Sequence, residues 1–232
     1  MWRPNAPILY DYRMTYIVGM RSSDGVVLGA DGLVTRYYSK DPNKVRKVLL
    51  QKRKIHKITP YLLVGFSGNA IYKIDLLAKY LRQDMERFKP KSVHEAMQYI
   101  RATIGNFYLE PIDAGVQLEI LVAGYNFNSS GQPSTPALYR WNPITRENRQ
   151  YGCVPIGRTD EDLDEELDDK YSASSGETET LEKLAIRLVA TSGKKYAEDV
   201  GGDTFIYRLT KSGVSGYKVP MLDPETKVKL HL

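Results

Sequence analysis

Cysteine occurs once in this 232-residue chain, as Cys153, and histidine three times, as His56, His94 and His231. A single thiol excludes an internal disulfide framework and a cysteine-built metal site; in its apolar stretch Cys153 reads as a core residue. The histidines are too scattered for metal-ligand spacing, so neither a metal nor another cofactor is expected. His94 falls in an amphipathic helical pattern and reads as structural. No apolar run approaches the length of a membrane-spanning helix, so no membrane partner is expected. The opening MWRPNAPILYDYR lacks the charged, apolar and small-residue order of a secretory signal. Internal repeats, low-complexity tracts and a convincing linker are also missing. A single globular unit in a reducing, cytoplasmic setting is the expectation.

Charge is plentiful but unevenly placed. The chain carries +5 overall, yet Asp160, Glu161, Asp162, Asp164, Glu165, Glu166, Asp168 and Asp169 crowd into ten residues. Leu163, Leu167 and Tyr171 recur there at helical spacing, so an amphipathic helix explains the run better than a calcium loop. The basic side includes Lys44, Arg46, Lys47, Lys52, Arg53, Lys54 and Lys57. Without interleaved aromatics this block reads as a solvated face, not a nucleic-acid site.

Periodicity gives the order of elements. Strands are expected near 15–20, 25–31, 54–58 and 61–67, with an irregular Tyr37–Asn43 segment between the second and third. Two helices follow. Ile71, Ile74, Leu77, Ala78 and Leu81 share one face of the first, and Val93, Met97, Ile100, Ile104 and Phe107 share one face of the second. Val116–Tyr125 reads as a buried strand, Asn126–Pro136 as a loop, and Ala137–Trp141 and Gln150–Ile156 as strands. Helices near 160–171 and 180–196 and strands near 204–209 and 216–219 complete the chain. Strands, two helices, strands, two helices and strands predict an α+β sandwich, not alternating βαβ units. Residues 1–14 read as a leader or propeptide-like segment, or a mis-assigned start. Residues 15–219 read as the domain and 220–232 as a C-terminal tail.

The densest information lies in Thr15–Thr35, TYIVGMRSSDGVVLGADGLVT. Two strand-forming runs flank Ser22-Ser23-Asp24-Gly25, which reads as a hairpin that carries Asp31 back beside Thr15. If Thr15 begins the mature chain, its hydroxyl and free α-amine form a self-contained nucleophile–base pair. This stretch resembles the start of a proteasome β-type subunit. Lys54-Ile55-His56-Lys57-Ile58 and the YLLVGFSG of Tyr61–Gly68 are similar to that family's lysine-bearing strand and glycine turn. The likeness continues more weakly through Gly201-Gly202-Asp203-Thr204-Phe205-Ile206-Tyr207.

The resemblance implies the four-layer αββα sandwich of the N-terminal nucleophile hydrolases and a threonine-type endopeptidase within a ring. Thr15 is then the nucleophile and its α-amine the base. Lys54 holds positive potential beside it, Asp31 pairs with Lys54, and the Gly68 N–H stabilises the oxyanion. Thr35 aligns an extended substrate through its backbone. Val34, Lys52, His56, Phe66 and Ala70 line the pocket for the side chain before the scissile bond. Implied partners are a peptide or unfolded-protein substrate, copies of the chain or proteasome-like subunits in a ring, and an ATP-dependent unfoldase.

Three features depart from that pattern. Arg158 follows Gly157 where the family has an assisting serine. Ala197 and Val200 precede Gly201-Gly202 where it has an Asp…Ser pair. Met14, not glycine, precedes Thr15, so translation from Met14 and removal of that methionine is the expected route to a free Thr15. A non-catalytic scaffold subunit of the α type is the rival reading. An N-terminal nucleophile amidase or ligase acting on another acyl substrate is the third.

Overall fold

The computed structural model describes residues 15–38, 46–68, 74–107, 118–142, 147–174, 176–197, 200–221 and 228–230. Its first sheet contains β1 (Tyr16–Arg21), β2 (Gly25–Asp31), β10 (Cys153–Gly157), β11 (Thr204–Thr210), β12 (Gly213–Val219) and β13 (Val228–Lys229). Among the described residues their order is β10-β1-β2-β11-β12-β13, all pairs antiparallel. The second sheet orders β5 (Ile55–Thr59), β6 (Leu62–Gly68), β7 (Leu118–Phe127), β8 (Pro133–Asn142) and β9 (Glu147–Gln150) consecutively. A separate antiparallel ribbon joins β3 (Leu33–Tyr38) to β4 (Arg46–Gln51). Four helices complete the described chain: α1 (Ile74–Phe88), α2 (Val93–Phe107), α3 (Glu161–Ser172) and α4 (Thr178–Lys195). The molecule is α+β with antiparallel sheets.

Side-chain alternation along each strand assigns its two faces. On β2, Val26, Leu28 and Ala30 join Ile55, Leu63, Leu121 and Ala123 of the second sheet in one apolar cluster. Val27 points the other way and packs with Leu181, Leu184, Ala185 and Leu188 of α4 and with Leu163 and Leu167 of α3. On β7, Leu121 and Ala123 face the first sheet, while Ile120 and Val122 pack with Leu77, Leu81, Met97 and Ile100 of α1 and α2. Gly29 lets α4 come close: a Cβ there would lie 3.0 Å from the Ala185 methyl. No described helix is long and apolar enough to cross a membrane.

Differences from the sequence reading are local. Tyr37 and Tyr38 belong to β3, so the predicted irregular segment is in part a hairpin arm; its residues 39–43 lie outside the described residues. The stretch 150–156 is two strands, because Tyr151-Gly152 breaks the run: β9 pairs with β8 and β10 with β1. The predicted loop 126–136 shrinks, since β7 runs to Phe127 and β8 begins at Pro133. Ile71 also lies outside the described residues.

Candidate functional site

Strand register places the site. Ile17 faces Ala30 across the β1–β2 hairpin, which sets the residues just before Ile17 against Asp31. The Thr15 hydroxyl donates to Asp31 Oδ1 at 2.7 Å, and the Tyr16 N–H donates to the same oxygen at 2.8 Å. Asp31 Oδ2 accepts from Lys54 Nζ at 2.8 Å, the Leu33 N–H at 3.1 Å and the Gly201 N–H at 3.2 Å. Lys54 Nζ also donates to the Leu33 carbonyl at 2.6 Å. Thr15, Asp31 and Lys54 are all buried, at 2%, 0% and 1% exposure. An ion pair so far from water persists because further hydrogen bonds support both partners. Burial drags the Lys54 ammonium below the usual lysine range, with the Asp31 charge and hydrogen bond opposing. The arrangement holds a threonine hydroxyl and a lysine on the two oxygens of one carboxylate.

The backbone of Thr15 is fixed from the opposite side. Its carbonyl accepts from the Arg158 N–H at 2.7 Å, just past the point where Tyr16 faces Gly157. Gly157 has φ 91°, and a Cβ there would lie 1.9 Å from the Thr15 carbonyl oxygen, so only glycine fits. The Gly157 N–H donates to Glu119 Oε2 at 2.7 Å, and Glu119 is itself paired with Arg140. Strands β10, β7 and β8 thus brace the residue that β1 and β2 present.

The remaining predicted residues are more dispersed. Gly68 ends β6 opposite Leu118 with φ 127°. The Phe66 N–H donates to the Lys54 carbonyl at 2.9 Å, which puts Gly68 at the lysine's end of this sheet. Val34 is buried in β3, and Thr35 faces Leu49 of β4; among the described residues no strand covers the other side of β3. Lys52 leans on α1, its Nζ 3.0 Å from Asp75 Oδ2. The His56 and Phe66 rings meet edge to face at 5.9 Å, with Phe66 fully buried beneath α1. Burial, aided by Arg82, Arg53 and Lys52 and opposed by Asp75, pushes His56 down to about 4. Ala70 lies outside the described residues. Thr15, Asp31 and Lys54 therefore share one network, while His56 and Phe66 form a separate contact.

Sequence reasoning missed the backbone donors Gly201 and Leu33 and the brace through Gly157 and Glu119. The Gly201-Gly202 doublet was the available signal; it carries part of the resemblance and marks the missing acid and serine, but residue type alone gives its N–H no role. Arg158, at the expected serine position, lays its guanidinium 4.8 Å from the Tyr196 ring centre. Val200 is fully buried with the α3 and α4 residues. Cys153 is half-buried, not fully enclosed; burial and its bond to Asp168 push the thiol up to about 12. It is therefore inert at neutral pH.

A family model described as a proteasome subunit matches residues 13–202. The chain belongs to the proteasome subunit family. No curated protein matches it. The proteasome subunit match includes both sequence extremes of the Asp31 network, Thr15 and Gly201. Membership implies assembly into a multi-subunit ring complex of the proteasome kind.

Proposed function

We propose that this chain is a threonine-type endopeptidase of a proteasome-like ring, with Thr15 as its N-terminal nucleophile. The carrying observation is the buried Thr15–Asp31–Lys54 network. With its amine free, Thr15 Oγ1 attacks the scissile carbonyl carbon and gives its proton to the α-amine. Lys54 supplies positive potential, and Asp31 keeps that lysine charged and the hydroxyl oriented. The tetrahedral adduct collapses, the C–N bond breaks, and the leaving amine takes the proton. Water then hydrolyses the ester by the same route reversed. The Gly68 N–H serves the oxyanion, and the uncovered side of β3 at Thr35 aligns the extended chain. Val34, Lys52, His56, Phe66 and Ala70 shape the specificity pocket. Unfolded protein, delivered by an ATP-dependent unfoldase, is the substrate. The same reading includes a four-layer αββα sandwich of the N-terminal nucleophile type, supported by the packing of α1 and α2 with one sheet and of α3 and α4 with the other.

The test begins with the mass and N-terminus of protein from its native source. Chains starting at Thr15, together with a loss of peptide turnover of at least about 10³-fold in Thr15→Ala, are expected. Retained turnover in Thr15→Ala removes that residue from the mechanism. A second reading, a non-catalytic ring subunit, is favoured by Arg158 at the serine position and by the buried Val200. Native chains starting at Met1 leave that reading in place, because the amine then stays in a peptide bond.

A further inference from the structure

Arg158 follows Gly157, where an assisting serine is expected. Its backbone N–H donates to the Thr15 carbonyl at 2.7 Å, but its side chain departs to the Tyr196 ring. A hydroxyl reaches the same place from the other sheet. Ser67, 1% exposed, lies on β6 at even spacing from Leu63, which packs between the sheets. It is two residues from Gly65, where a Cβ would lie 3.5 Å from the Ile17 side chain. Alternation therefore turns Ser67 towards β1 and β10. Gly157 fixes the position more closely. A Cβ there would lie 1.9 Å from the Thr15 carbonyl oxygen and 2.5 Å from Ser67 Oγ, so the two oxygens close on one point. Glu119, opposite Ser67 in the β6–β7 register, accepts the Gly157 N–H and holds this glycine in place. The Thr15 hydroxyl lies on the other flank, bonded to Asp31 of β2. An extended residue sends its N–H and C=O to the same neighbouring strand. The Thr15 nitrogen therefore issues towards β10, the flank on which Ser67 Oγ sits.

We propose that Ser67 is a positioning residue for the Thr15 α-amine, its hydroxyl oxygen accepting an N–H from that amine. The proposal rests on Thr15 as the N-terminal nucleophile. With one N–H held from the β10 side, the amine's lone pair is left to turn to the Thr15 hydroxyl, whose proton it receives. Ser67 thus supplies from β6 an oxygen that Arg158 does not bring from β10. A hydroxyl oxygen binds an ammonium more strongly than a neutral amine, so the same bond raises the pKa of the amine.

The test uses chains that start at Thr15 and follows peptide turnover against pH. Ser67→Ala should lower kcat about tenfold with KM unchanged. It should also move the acid limb of kcat/KM down by about half a pH unit, because the amine loses a partner that favours its charged form. Ser67→Thr keeps the oxygen and should keep the limb at its wild-type pH. Ser67→Cys, a poor acceptor of similar size, gives the same readout should Ser67→Ala fail to fold. A role in packing alone lowers the melting temperature and leaves the limb in place. That result, or an unchanged kcat, overturns the role of Ser67 when Thr15→Ala is inactive. Turnover retained in Thr15→Ala, or absent from the wild type, instead ends the peptidase reading and the proposal with it.

Discussion

Lys54 is held by two oxygens, and one of them belongs to a carboxylate that has no access to water. Lys54→Met therefore strands Asp31 as a buried charge, and urea denaturation should show a loss of about 3–5 kcal/mol. Adding Asp31→Asn should return part of it, so the double variant is more stable than the sum of the two single losses predicts. Strict additivity would mean that the pair is not coupled. His56 gives a pH test. Its folded-state pKa lies near 4, below the ordinary 6.5, so as pH falls the unfolded chain takes up the proton first. Stability from this residue is complete above about pH 6.5 and drains away towards pH 4, by about 3 kcal/mol in all. His56→Gln should flatten that part of the stability–pH curve; equal slopes would dismiss the effect. Thr15, Asp31 and Lys54 were legible in the sequence because their chemistry resides in side chains. Gly201 and Leu33 were not, since a donated peptide N–H leaves no mark on residue type.

Between elements, the narrowest tolerance is at the junction of β10 with β1. Gly157→Ala places a methyl where the Thr15 carbonyl oxygen already sits and imposes a left-handed conformation on alanine. The expected loss is on the order of 3 kcal/mol, read as a fall in melting temperature. An unchanged melting temperature would mean that the strands can separate at little cost. The alternation on β2 and β7 and the apolar stripes of α1 and α2 made these elements readable, because burial on a defined face dictates the residue pattern. The β3–β4 ribbon was harder to see. Its arm Arg46–Gln51 lies inside a basic run, and charge concealed strand propensity. The break between β9 and β10 rests on two residues, too short an interruption for periodicity to register.

For the whole molecule, ring membership gives a hydrodynamic expectation. Static light scattering of the purified protein should return several times the mass of one chain; a particle of one chain's mass throughout the accessible concentration range contradicts a homo-oligomeric ring. The acidic helix α3 is already partly neutralised inside the subunit, through Lys195 with Asp160 and Asp162 and Arg187 with Glu166. Such exposed pairs contribute little to stability, and their loss in high salt should leave the fold intact. Time adds a consequence of the donor set around Asp31. Gly201 stands 170 residues beyond the carboxylate it serves, and β11, which flanks β2, follows only after it. A chain still emerging from the ribosome has made Thr15, Asp31 and Lys54 long before the segment that finishes their surroundings. The Asp31 carboxylate therefore gains its last backbone donor only after 170 further residues have been made.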